Sequence, residues 1–217
     1  VVQTSPPRRF HGPIAVLVFV AIAVMVSLTL TQIIQAGKGA TKSLDRFGAV
    51  PDFVFFDEAG NAITPAVTNG KYLVWSFAAA NDTLLTSVMN QRMREIQTAL
   101  DEMSDENVLL FTLVTSPANA TQLELSEMAR TAGANPKRWR FVSGPAENVN
   151  TFIEKGLFGS EKGQVLDETQ RAKRLVLVDP ENEVRGFRDG ENPQAAANIL
   201  LDIGALVREA KVPLPKH

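Results

Sequence analysis

The chain has 217 residues, with 22 Lys and Arg against 24 Asp and Glu, for a formal net charge of −2. Such a balance lacks the basic stripe of a nucleic-acid-binding protein. There is no cysteine, which excludes disulfides, thiol redox chemistry and thiolate metal sites. The two histidines, His11 and His217, lie near the chain ends, so no imidazole base serves the interior of a domain.

A tail over 1–13 contains Arg8 and Arg9 and leads into "IAVLVFVAIAVMVSLTLTQII", uncharged from Ile14 to Ile34. At about 1.5 Å per residue this run spans the roughly 30 Å hydrocarbon core of a bilayer. A cleaved signal peptide is the competing reading, and "QAGKGA" imitates a cleavage site, but a signal h-region is shorter, about 7–15 residues. The run therefore predicts a retained transmembrane helix over 14–35, contacting lipid through Ile14 to Ile34. Arg8 and Arg9 on one side are matched by Lys38, Lys42 and Arg46 on the other, so flanking charge gives no clear orientation. A short basic tail ahead of a first span favours the cytoplasm for the tail and the far side for the large domain.

Residues 36–50 are small and polar and read as a tether. "PDFVFFDEAGNAI" gives an extended run, a Gly60-Asn61 turn and a return, a hairpin. "KYLVWSF" (71–77) is a buried strand that runs directly into a helix. That helix carries Leu85, Met89, Met93, Ile96, Leu100 and Met103 at spacings that share one face, leaving Arg92, Arg94, Glu95 and Asp101 toward water. "NVLLFTLV" (107–114) is a second continuous apolar strand, of the kind buried on both faces. Thr121 and Glu124 form a capping box for a helix that ends near Gly133. "WRFV" (139–142) reads as a short edge strand. "PAENVNTFIEKGLFG" reads as a helix with Val149, Phe152 and Ile153 inward, and "EKGQVLDETQRAKR" (161–174) as a solvated charged loop. "RLVLVD" and "VRGFR" form a late hairpin. Asn192 caps a final helix with Pro193 at its first position, and Ile199, Leu200, Ile203, Leu206 and Val207 form its apolar face. This order predicts an α/β three-layer sandwich around a mixed sheet, the thioredoxin-like plan, over 51–211, followed by a tail over 212–217.

In that plan chemistry sits where the first long strand meets its helix, here "SFAAANDTLL". Ala78, Ala79, Ala80, Asn81 and Asp82 offer nothing reactive; Asp82 reads as a helix cap rather than a lone acid or metal ligand. Asp52, Asp57 and Glu58 lack the regular spacing of a Ca²⁺ loop and read as a solvated turn. Met89, Met93 and Met103 fall at core spacing rather than as copper ligands. "NDT" and "NAT" match a glycosylation pattern that carries little weight by itself.

From Pro51 to about Leu206 the chain resembles the Sco (SenC) family of membrane-anchored, thioredoxin-like copper chaperones for cytochrome oxidase. The likeness is carried by "PDFVFFDEAGNAI", "GKYLVWSF", "TLVTSPANATQLELSEMARTAGANPKRWRFVSG" and "RLVLVDPENEVRGF", in that order and spacing. The family binds copper through two cysteines four apart at the strand–helix junction and one histidine upstream of the late hairpin. Laid on this motif, Ala80 and Leu84 stand at the cysteine positions and Arg171, give or take one residue, at the histidine position. A methyl group, an isobutyl group and a guanidinium are no ligands for a soft metal. The resemblance thus implies a vacated metal site, with no metal, no cofactor and no catalytic residue. It also implies a bacterial inner-membrane protein with its domain on the periplasmic side. Two functions remain open: a non-catalytic subunit of a respiratory or photosynthetic electron-transfer complex, and a transient assembly factor that carries no copper. A thiol enzyme on this fold would need a cysteine.

Overall fold

The computed structural model describes residues 43–79, 82–116, 120–158 and 166–211. The tail over 1–13, the helix expected at 14–35, the tether up to residue 42 and the tail over 212–217 lie outside the described residues. Among the described residues no helix is long and apolar enough to cross a membrane.

In chain order the elements are β1 (Gly48–Ala49), β2 (Phe55–Asp57), β3 (Ala62–Ile63), α1 (Pro65–Thr68), β4 (Tyr72–Ala79), α2 (Thr83–Glu102) and β5 (Val108–Ser116). Then follow α3 (Gln122–Ala132), β6 (Trp139–Ser143), α4 (Ala146–Thr151) with a π-helical continuation (Phe152–Leu157), α5 (Glu168–Ala172), β7 (Arg174–Val178), β8 (Glu183–Asp189) and α6 (Ala195–Lys211). The strands form one mixed sheet in the order β1-β8-β7-β4-β5-β6-β2-β3. β4, β5 and β6 run parallel, and β7 joins β4 antiparallel. This is the thioredoxin-like α/β arrangement that the order of elements predicts.

The continuous apolar strands are buried because helices cover both faces. Tyr72, Val74 and Ala78 of β4 meet Met89, Met93 and Ile96 of α2 and Ile199, Ile203 and Leu206 of α6. The alternate residues Leu73, Trp75 and Phe77 enter the opposite layer with Phe53, Phe55, Phe111 and Phe152. There Trp75 stacks on Phe111 at 4.8 Å between ring centroids. On the α2 side a hydroxyl pair is sealed in the core: the Trp139 indole N–H donates to Thr112 Oγ1 (2.9 Å), which lies 2.8 Å from Ser76 Oγ.

Residues 43–50, within the stretch read as a tether, pack on the fold. β1 pairs with β8, and Val50 is buried. Arg185 fixes this entry segment. Its guanidinium donates to Asp179 (2.8 Å), to Glu209 of α6 (2.9 Å) and to the carbonyls of Leu44 (3.0 Å) and Asp45 (3.2 Å).

Several sequence expectations are corrected. β6 is interior rather than an edge, because β2 pairs along its free side through Phe56↔Ser143 and Asp57↔Val142. Asp57 is buried rather than solvated: it accepts the N–H groups of Ala59 and Asn61 and an Arg140 guanidinium hydrogen, which makes it the organiser of its turn. Arg92 is also buried, its guanidinium donating to the Gly190 carbonyl and pairing with Glu95. Met103 lies beyond the end of α2 and is 60% exposed. α6 starts at Ala195 rather than Pro193. The Ala195 N–H bonds the Asn192 carbonyl, three residues back, so a tight turn precedes the helix, although Asn192 Oδ1 still accepts the Gln194 N–H. The charged run is not all loop: from Asp167 it forms α5, whose capping box joins Asp167 and Gln170 reciprocally.

Glu58 accepts the Phe141 N–H at 3.2 Å. Burial pushes its carboxyl above the ordinary glutamate range, against opposing hydrogen bonds from the backbone. An acid whose folded value is raised loses stability as pH rises through that value. Glu58→Gln keeps an acceptor for Phe141 and is expected to stabilise the fold at neutral pH. In acid below the unfolded glutamate range, where both forms are neutral, the gain should vanish. Denaturant titrations at several pH values check this; a gain that persists unchanged in acid would contradict it.

Candidate functional site: the strand–helix junction

β4 ends at Ala79 and α2 begins at Thr83, with Asp82 as its N-cap. Asp82 Oδ1 accepts the Leu85 N–H at 3.0 Å, as the cap reading expects. From the first turn of the helix Thr86 reaches back, its Oγ1 donating to the Ala79 carbonyl at 3.2 Å. These two contacts set the angle between strand and helix. Asp82→Ala is expected to cost about 1 kcal/mol in stability, read by denaturant titration; Asp82→Asn, which keeps the accepting oxygen, should cost less.

Two cavities meet at Ala79. One, of about 500 Å³, lies between α2 and α3 and is lined by Thr83, Thr86, Ser87, Asn90 and Thr131 among others. The other, of about 230 Å³, is lined by the apolar Phe77, Ala79, Ile153 and Ala172 and by the polar or charged Thr115, Asn150, Glu154, Glu168 and Arg171. Thr115 Oγ1 donates to the Ala78 carbonyl at 3.2 Å. Charge crosses the junction as well: the hydrogen bond with Glu191 first, then the fields of that carboxylate, Asp189 and Asp82, hold the Lys173 ammonium above its ordinary value.

Of the three positions singled out in the sequence, Ala80 lies outside the described residues. Leu84, in the first turn of α2, points outward and is 78% exposed. Arg171, in the last turn of α5, lines the smaller cavity with Ala79, the residue next to Ala80. Sequence reasoning did not single out Phe77, Thr115, Glu154 or Glu168 as neighbours of Arg171. Glu168 stands three residues before Arg171 on α5, a spacing the sequence does show, but Phe77, Thr115 and Glu154 come from three other elements that no local pattern links to it.

The donor chemistry does not suit copper. A soft cuprous ion or a borderline cupric ion takes several thiolate, thioether or imidazole ligands, whereas the described lining of this junction offers hydroxyls, amides, three carboxylates, two guanidiniums and a single thioether, Met128. Among the described residues no group of three or more His, Cys, Asp or Glu side chains is arranged to hold a metal.

The family model SCO1/SenC matches residues 41–205. Among solved structures, BsSco, a member of the Sco family of cytochrome c oxidase assembly proteins, superposes with a TM-score of 0.63 at 17% identity, covering 76% of this chain and 95% of that one. A SCO1/SenC family lipoprotein from Bacillus anthracis gives 0.62 at 17% identity, with 76% and 96% covered. Yeast Sco1 with copper bound gives 0.55 at 16% identity, with 77% and 95% covered. At these identities the superpositions establish the fold alone. A comparison with curated proteins finds no match. The family-model match runs through both strands that flank the junction and both helices that build it, and on that match the chain belongs to the SCO1/SenC family.

Proposed function

We propose that this chain is a non-catalytic, single-pass membrane subunit whose Sco-like domain binds and stabilises a larger electron-transfer complex, respiratory or photosynthetic. The observation that carries this reading is a SCO1/SenC domain without a single cysteine. The positions that the family uses for copper are occupied by Ala80, Leu84 and Arg171. Delivery of copper needs ligands that take up and release the ion, and the described lining of the junction has neither thiolate nor imidazole, only the lone thioether of Met128. A fold relieved of that chemistry keeps a rigid surface, and a related fold is known among cytochrome c oxidase assembly proteins. The uncharged run from Ile14 to Ile34 supplies the anchor, and the domain lies on the periplasmic side.

Purification of the native complex from membranes, with quantitative mass spectrometry of its components, tests the proposal. A subunit co-purifies one to one with the complex through detergent exchange and gradient centrifugation. Substoichiometric recovery, concentrated in immature complexes, would instead identify a transient assembly factor. Protease added to sealed spheroplasts should remove the domain; protection there with digestion in inverted vesicles would reverse the topology.

A further inference from the structure

The smaller cavity at the junction carries an unused charge. Among the described residues the Arg171 guanidinium makes no hydrogen bond and no ion pair, although Glu154 and Glu168 line the same cavity. By contrast, Arg92, Arg130, Arg138, Arg140 and Arg188 each pair with a carboxylate. A half-buried guanidinium facing a cavity offers a planar fork of donors that fits a carboxylate in two parallel hydrogen bonds. The two glutamates restrict what can bring that carboxylate. A multiply charged anion such as phosphate would sit against two like charges, whereas a group carrying its own cation would meet them favourably. Of the remaining lining, Thr115 and Asn150 are polar, while Phe77, Ala79, Ile153 and Ala172 are apolar and suit an aliphatic side chain.

The geometry points to a binding site for a small zwitterion of the α-amino-acid class, with its carboxylate on Arg171, its ammonium toward Glu154 and Glu168, and an apolar side chain against Phe77 and Ile153. The volume of about 230 Å³ admits a single amino acid. The site therefore turns a position unsuited to a cation into one that senses or holds an amino acid. This goes beyond the structural role proposed above, and neither depends on the other: the site is tested without a partner, and the partner without a ligand.

The test is calorimetric titration of the full chain in detergent with L-leucine, alongside 4-methylpentanoate, which lacks the ammonium, 3-methylbutylamine, which lacks the carboxylate, and inorganic phosphate. Leucine is expected to bind saturably at one site, each analogue about tenfold or more weaker, as loss of a charge-assisted contact implies. Arg171→Gln should weaken leucine by at least about tenfold, and Glu154→Gln with Glu168→Gln should erase the advantage of leucine over 4-methylpentanoate. Thermal unfolding of each variant confirms that it is folded. Absence of saturable leucine binding, leucine binding unaffected by Arg171→Gln, or phosphate binding as tightly as leucine would each overturn the proposal.

Discussion

Arg185→Met is expected to destabilise the domain by roughly 3–5 kcal/mol, the cost of leaving a buried charge without its partner. For a chain of this size that corresponds to a fall of about 6–20 °C in the thermal midpoint. The Arg185 side chain is 3% exposed and that of Asp179 1% exposed, so neither can turn to water when the other is removed. Burial works against the guanidinium's charge, but its hydrogen bonds with Asp179 and Glu209 outweigh that and hold its pKa above the ordinary arginine value. Loss also reaches beyond the pair. The carbonyls of Leu44 and Asp45 and the carboxylate of Glu209 lose their donor together, so the polar tie of the entry segment and α6 to the β7–β8 hairpin is lost in one step, while their apolar packing remains. A second substitution separates these contributions. Asp179 also accepts the backbone N–H groups of Glu181 (3.1 Å) and Glu183 (2.9 Å), and Asn at 179 keeps an accepting oxygen while removing the charge. Asp179→Asn with Arg185→Met should therefore recover part of the loss, with the remainder belonging to Leu44, Asp45 and Glu209. Thermal scans of the parent, the single and the double mutant decide it; a single mutant within about 2 °C of the parent, the shift of less than 1 kcal/mol, would show that Arg185 is no hub.

The elements most legible in the sequence are those where one local rule dominates. Buried strands β4 and β5 announce themselves as continuous apolar runs, α2 by the spacing of Leu85 to Leu100, and α3 by its capping box at Thr121 and Glu124. Misreadings arise where a distant segment decides. β6 looks like an edge until β2, some eighty residues earlier in the chain, takes its free side. Asp57 and Arg92 look solvated by type, yet each is buried by partners that no short window contains: Arg140 for the first, the Gly190 carbonyl for the second. α5 was within reach, because Asp167 and Gln170 have the spacing of a capping box; the surrounding mixed charge hid it. At the junction itself the sequence shows which residue types are missing. It does not show that Ala79 and Arg171 share a cavity with Phe77, Thr115 and Glu154, since that grouping is a product of the sheet order.

Restoring soft donors at the junction is expected to create a copper site where the parent has none. Titration of the parent with Cu(I) against a competing chelator should show no stoichiometric binding. The triple change Ala80→Cys, Leu84→Cys and Arg171→His should bind one ion with a Kd below about 1 µM, or about 8 kcal/mol of binding free energy. Position 84 lies in the first turn of α2, and a helix N-terminus lowers thiol pKa toward the thiolate that copper requires. The structure makes this less costly than a buried site would suggest. Leu84 is 78% exposed, so its exchange for Cys forfeits little packing and should cost no more than about 0.5 kcal/mol, as for other surface changes. Arg171→His removes a fixed positive charge from the cavity that adjoins Ala79 and puts an imidazole in its place. The histidine position is defined to within one residue, and the two neighbours are not equivalent. Gln170 closes the capping box with Asp167, so a histidine there would loosen α5. Ala172 lines the cavity itself, so Ala172→His is the better alternative and should succeed if Arg171→His fails. A cuprous complex reported by chelator competition, or a disulfide between residues 80 and 84 after oxidation, would fix the vacated site at this junction. Folded variants that gain neither signature would move it elsewhere, and with it the reading of Arg171 as the residue standing in the histidine's place.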